Sequence, residues 1–206
     1  MYKNVIFDWS GTLSNDQILV YTATMNAFKK INIETISFEE YRRIYELPYM
    51  KFYRKFDKVR SKEEIDKLFL IEFEKLGSPK PFPGAESLLK KLKQKNINCI
   101  LLSSHLSKEL NLEVDQNGFR EYFSEVNGSV HDKVSEINKI MKRNNFTPEE
   151  TVYVGDMTHD VDAGKHAGVK VVAVTYGYQT REQLQTANPD YIVDTMKELE
   201  KRVIDK

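Results

Sequence analysis

The sequence predicts an α/β fold, a doubly wound parallel sheet interrupted by an all-helical insertion. Three observations lead there. Short apolar runs alternate with amphipathic stretches along the chain. The runs are continuous and β-branched, as strands covered on both faces should be. The first two are about 90 residues apart, far beyond a normal crossover, so a helical unit must intervene between them.

The expected strands are Asn4–Asp8, Asn98–Ser103, Thr151–Gly155, Val169–Thr175 and Tyr191–Val193. Between them, apolar residues recur at spacings of three and four. One helix carries Leu88, Leu89 and Leu92 after Pro83-Gly84; another carries Val134, Ile137, Ile140 and Met141; the last carries Met196, Leu199 and Val203. Such alternation favours right-handed crossovers onto a parallel sheet.

The insertion spans residues 15–80, leaving 1–14 and 81–206 for the sheet domain. Its apolar sets are Ile18/Tyr21/Met25/Phe28, Phe38/Tyr41/Ile44/Tyr45 and Ile65/Leu68/Phe69/Phe73/Leu76, which are helical faces. Ser14-Asn15-Asp16 is the outgoing hinge and a candidate helix N-cap, and Gly77–Gly84 is a stiff return linker. The insertion leaves from the end of the first strand, so it is placed to act as a lid over Asp8. Eleven of the 23 aromatic residues lie within it, enough large side chains to fill a small bundle. Lys51, Arg54, Lys55, Lys58, Arg60 and Lys62 read as a solvated face, with one or two available to steer an anion.

Lys+Arg and Asp+Glu are 31 each, so no net charge drives nonspecific attraction to nucleic acid or membrane. Apolar content is 40% and mean hydropathy is −0.54, and no apolar run approaches the ~20 residues of a bilayer span. The first residues lead directly into a strand with no signal-peptide pattern, so the expected compartment is the cytoplasm. The single cysteine, Cys99, sits in an apolar run and reads as a buried small hydrophobe.

Four patches fall at strand ends, where open α/β sheets bind ligands. They are Asp8-Trp9-Ser10-Gly11-Thr12, Ser103-Ser104-His105, Lys133 at the start of a helix, and Gly155-Asp156 followed by Asp160. Each has a role on a phosphoryl group. A carboxylate such as Asp8 can act as nucleophile and form an acyl-phosphate. Asp156 and Asp160, with Asp8, can hold a hard cation such as Mg²⁺. Lys133 adds positive charge and Ser103 a hydrogen bond. Phosphoryl transfer is mostly positioning and charge stabilisation, so this set is sufficient in kind.

The four patches, in this order, resemble the haloacid dehalogenase superfamily of phosphohydrolases, in the subgroup whose helical cap follows the first motif. Asp8–Leu13 matches D-x-D-G-T-L except at Ser10; Ser103, Lys133 and Gly155-Asp156 with Asp160 match the later motifs. Asp162–Val169 and Pro189–Val193 are similar to phosphoglycolate-phosphatase-like members. The resemblance implies a Rossmann-like core, a small phosphorylated metabolite as substrate and Mg²⁺ as cofactor. It implies Asp8 as nucleophile, and Asp8, the Ser10 backbone carbonyl, Asp156 and Asp160 around the metal, the last directly or through water. Gly11, Thr12, Ser104, His105 and Lys51 are the remaining substrate-binding candidates.

Ser10 departs from the family pattern. The acid normally found there protonates the leaving group and then activates water, a contribution of about 10²–10⁴-fold. Three readings stay open. The chain is a phosphatase that is slow, or suited to good leaving groups, or served by another residue such as His105, His131 or His159. Alternatively it resembles phosphonoacetaldehyde hydrolases, which carry D-W-A-G-T and a Schiff-base lysine, here Lys51. Or it binds metal and phosphate without turnover. Dehalogenases also lack the second acid, but they do not need the metal carboxylates retained here.

Overall fold

The computed structural model describes residues 2–205. The elements run β1 Asn4–Phe7, β2 Ser14–Asn15, α1 Gln17–Lys30, α2 Phe38–Ile44, α3 Met50–Arg54, α4 Lys62–Phe73, β3 Lys80–Pro81, α5 Ala85–Gln94, β4 Asn98–Leu102, α6 Ser107–Gln116, β5 Glu125–Asn127, α7 Lys133–Asn144, β6 Thr151–Gly155, α8 Thr158–His166, β7 Lys170–Val174, α9 Arg181–Thr186, β8 Tyr191–Val193 and α10 Met196–Ile204. Two compact units result. One comprises the chain up to Asn15 together with everything from Lys80 onward; the other is Asp16–Pro79.

The first unit is the expected α/β sheet. Six strands lie in the order β5-β4-β1-β6-β7-β8, and every neighbouring pair is parallel. β1 is central: Phe7 pairs with Leu101 of β4 on one side and Val154 of β6 on the other. The chain winds outward through β4 and β5, then returns across β1 to build β6, β7 and β8. The order of strands therefore reverses at β1, and the crevice beyond its carboxyl end is the topological switch point.

Both faces of this sheet are apolar, which is why the strands read as continuous runs. Val5 and Phe7 point into one cluster with Leu89 and Leu92 of α5, Leu110 of α6 and Leu199 of α10. Ile6, one residue out of phase, points into the other with Ile137 and Ile140 of α7 and Ala163 of α8. Cys99 belongs to the first cluster, and burial pushes its thiol up to about 12, so it is a packed, un-ionised side chain. β5 has no such signature. Its residues Glu125-Val126-Asn127 are only half-buried at the sheet's edge, and polar edge strands carry little apolar pattern.

The hinge residues form more structure than a linker. Ser14–Asn15 and Lys80–Pro81 pair as a two-stranded antiparallel ribbon. Asp16 occupies the N-cap position of α1, but its side chain makes no capping bond there.

The second unit is helical, α1 to α4, as its apolar spacings predict. Its core is aromatic: Phe28 stacks on Phe52 and meets Tyr53 and Phe56 at an angle, and Tyr41 contacts Phe52 edge-on. Ser61 and Glu64 close a capping box at the start of α4. Most of the basic run is spent locally. Arg54 donates to the carbonyls of Asp57 and Arg60, Lys55 pairs with Glu46, Arg60 with Asp57, and Lys62 with Asp66. No helix among the described residues is long and apolar enough to cross a membrane.

Candidate active site

Asp8 directly follows β1, and its backbone N–H still bonds to Val154 of β6. Sheet register thus delivers its carboxylate to the switch point. The chain then turns sharply: the carbonyl of Trp9 accepts from the N–H groups of Thr12, Leu13 and Ser14. Gly11 sits at φ +72°, and a Cβ there would fall 2.2 Å from Asp156 Oδ2. Only glycine permits both that backbone and that approach. Trp9 turns back into the core, fully buried, with Phe119 edge-on at 6.2 Å.

Lys133 is the first residue of α7. Asp132 caps that helix through the N–H of Ser135, which sets where Lys133 leaves the backbone. Its ammonium is buried and lies 2.6 Å from Asp160 Oδ1 and 3.1 Å from Asp8 Oδ1. Burial opposes that charge, yet Asp160 and Asp8 together hold Lys133 well above the usual lysine range. Burial pushes the Asp8 carboxyl up to about 7, with Asp160 adding to the rise and Lys133 opposing it.

Asp160 lies in the first turn of α8. Its Oδ1 accepts from Lys133 and the Tyr153 hydroxyl at 3.1 Å, and its Oδ2 from the N–H groups of Asp156 at 3.3 Å and Met157 at 3.1 Å. Both oxygens are therefore engaged by the protein. Asp156 follows β6 and is held differently. Its Oδ2 accepts from the Tyr178 N–H at 2.6 Å, and its Oδ1 faces the Thr12 hydroxyl at 3.5 Å. Asp8, Asp156 and Asp160 each offer one oxygen, all within 4.8 Å of one another, and all three are buried. Three clustered acids, two of them paired with one ammonium, leave an excess of carboxylates in a desolvated place. That excess and the all-oxygen donor set suit a hard divalent cation.

Two contributors have no motif of their own. Tyr153 stands between two valines of β6, where a buried hydroxyl signals a partner. The loop after β7 supplies the Tyr178 N–H, and backbone donors leave no residue-type signature. That loop also requires Gly177, because a Cβ would lie 2.3 Å from Asp156 Oδ2 and 2.4 Å from the Gly11 carbonyl oxygen. Gly177→Ala is expected to displace Asp156 and weaken Mg²⁺ affinity at least tenfold while β1–β8 stay paired; titration calorimetry and circular dichroism check the two halves.

The remaining candidates are distributed as follows. Ser103 is buried and its Oγ accepts from the His105 N–H at 3.2 Å. Ser104 is exposed. His105 is half-buried, with Nε2 3.2 Å from Glu113 Oε1. His131 and His159 line a cavity of about 210 Å³ with Asp132, Asp162 and His166. Lys51 is exposed on α3 of the helical unit, whereas Schiff-base lysines are desolvated.

The site has a buried carboxylate at the end of the central strand, a hydroxyl, a buried ammonium and two further acids, each at the carboxyl end of a strand or the start of a helix. Residues 5–174 match the family of haloacid dehalogenase-like hydrolases. The chain belongs to that family. Among its relatives in the family, a phosphoglycolate phosphatase of Synechococcus elongatus is 32% identical over 120 residues, 57% of this chain and 57% of that protein. The chain thus aligns with little more than half of that relative's length. Pyrophosphatase PpaX of Oceanobacillus iheyensis is 24% identical over 207 residues, covering 96% of this chain and 94% of the other. A haloacid dehalogenase-like family hydrolase of Streptococcus pneumoniae superposes with a TM-score of 0.82 over 96% of each chain at 19% identity, a likeness of fold.

Proposed function

We propose that this hydrolase is a Mg²⁺-dependent phosphohydrolase of small organic phosphates, working through an aspartyl-phosphate on Asp8. The observation that carries the reading is the buried trio Asp8, Asp156 and Asp160, with Lys133 paired to Asp8 and Asp160. The names of the two sequence relatives, a phosphoglycolate phosphatase and a pyrophosphatase, support the substrate class.

The carboxylates of Asp8 and Asp156 and the backbone carbonyl of Ser10 would hold the cation. Asp160, with both oxygens already engaged, would act through water and as the anchor of Lys133. Bound Mg²⁺ would supply charge neutralisation for the phosphoryl oxygens and favour the ionised form of Asp8. The chain's residues do the rest. Asp8 attacks phosphorus, its new O–P bond replacing the bond to the leaving group. Lys133 and the Ser103 hydroxyl hold the phosphoryl oxygens. Water then cleaves the aspartyl-phosphate and releases inorganic phosphate.

Ser10 cannot donate a proton to a leaving group at neutral pH. Substrates whose leaving group departs as a stable anion therefore fit best: aryl and acyl phosphates, or pyrophosphate, as the name of the Oceanobacillus relative has it. The test is hydrolysis of an aryl phosphate with and without Mg²⁺. Turnover should require the metal, stop on chelation, and fall at least 10³-fold in Asp8→Asn. Unchanged activity in that variant, or in chelator, would sink the reading. Metal-dependent phosphate binding with no turnover of any substrate would make the chain a binding protein instead.

A further inference from the structure

We propose that His105 and Glu113 together supply the proton transfer that Ser10 cannot, with His105 as the proton carrier and Glu113 as its positioning residue. This deepens, and rests on, the aspartyl-phosphate reading above.

Glu113 is the unusual group. It lies on α6, in register with Leu110 and Val114 on the face that packs into the sheet's core, and it is buried there. A carboxylate in that position needs strong partners. One is the indole of Trp9, whose Nε1–H donates to Glu113 Oε2 at 2.7 Å. The other is His105, whose Nε2 lies 3.2 Å from Glu113 Oε1. Oε2 thus accepts a hydrogen bond from one strand exit, and Oε1 lies at ion-pair distance from a residue of another. Trp9 immediately follows Asp8, and His105 follows Ser103 by two residues, with its own N–H on the Ser103 hydroxyl. Because β1 and β4 are paired neighbours, both loops leave the same edge of the sheet, at the switch point.

The arrangement is that of an imidazole oriented by a carboxylate. The Glu113 carboxylate, at ion-pair distance from Nε2, favours a proton on that nitrogen, and we assign the exchange of a proton to Nδ1. Glu113 Oε1 lies at ion-pair distance from the His105 ring. The loop against which His105 packs presents Ser129, which donates its N–H to the His105 carbonyl and carries no charge.

The steps balance as follows. As Asp8 Oδ bonds to phosphorus and the P–O bond to the alcohol breaks, His105 Nδ1–H gives its proton to the departing oxygen, leaving a neutral imidazole. Water then attacks the aspartyl-phosphate. Nδ1 takes one of its protons, the O–P bond to Asp8 breaks, and carboxylate and phosphate are regenerated with His105 again protonated.

Three variants and two substrates test this, with the Mg²⁺-loaded enzyme for kinetics and Trp9, the chain's one tryptophan, for spectroscopy. His105→Gln should lower kcat/KM for an alkyl phosphate by about 10²-fold and for an aryl phosphate by less than tenfold. In the native enzyme the alkyl-phosphate profile should fall as pH rises through the titration of His105. Glu113→Gln keeps an acceptor for Trp9 but loses the charge, so that limb should move to lower pH. A residue that only held the fold together would leave the limb in place. Trp9 emission should titrate with the same midpoint in the metal-free protein, and His105→Gln should abolish that step. Equal losses on both substrates, an unmoved limb, or Trp9 emission that does not titrate would each overturn the proposal. Full alkyl-phosphate activity in His105→Gln, with Asp8→Asn dead, overturns it alone; turnover persisting in Asp8→Asn overturns it together with the reading on which it rests.

Discussion

Lys133→Met is expected to abolish turnover and, without divalent cation, to destabilise the α/β unit by about 3–5 kcal/mol. The side chain is 1% exposed, and its ammonium touches both Asp8 and Asp160. Methionine fills similar volume but removes the positive charge that touches both acids. Asp8 and Asp160 would then face each other desolvated, and one of them would have to take a proton to remain buried. Breaking a buried ion pair from one side is costly for this reason, whereas replacing the whole group is often tolerated. A divalent cation beside Asp8 restores part of the missing charge. Mg²⁺ should therefore raise the stability of Lys133→Met more than that of the native chain. Urea unfolding followed through Trp9 fluorescence, with and without Mg²⁺, measures both effects. A variant as stable as the native chain in chelator would show that Lys133 does not compensate these carboxylates.

Much of this site could be read from the chain because strand ends announce themselves. A buried run that stops at Asp8, Ser103 or Gly155-Asp156 places a polar group at the sheet's edge whatever the details of packing. Lys133 was legible for a related reason: it opens an amphipathic helix whose apolar face, Ile137 and Ile140, is committed to the sheet. What the residues did not announce is the layer behind them. The Tyr178 N–H that holds Asp156 is a backbone group, so residue type says nothing about it. Glu113 did leave a trace, an acid three residues after Leu110 on a helical face that otherwise packs inward. The helices α6, α8 and α9 are short and mostly polar, which hides their period. The basic run at 51–62 is the opposite case. It suggested anion steering, yet four of its six members serve local bonds in the helical unit.

Ser10→Asp is the substitution expected to raise activity, and it connects the two proposals about proton transfer. Ser10 is half-buried at the head of the tight turn that follows Asp8, and it bridges to Ser14. The hydrogen bonds of that turn run to the Trp9 carbonyl from backbone groups, so a new side chain at position 10 disturbs none of them. An added acid should increase kcat/KM on alkyl phosphates by about 10-fold or more and on aryl phosphates much less, because only the former need a strong proton donor. The same acid enters a place already rich in carboxylates, so the metal-free variant should be less stable and regain stability with Mg²⁺. The decisive comparison is a double-mutant cycle with His105→Gln. If His105 carries the proton, Ser10→Asp replaces a function the His105→Gln enzyme has lost, and its gain on alkyl phosphates must be larger in that background than in the native one. If His105 only shapes the loop, the two effects multiply independently, since groups that do not share a step contribute additively in free energy. Kinetics of four proteins on two substrates separates these cases, and a simple product of the single effects would return the missing acid to some other residue.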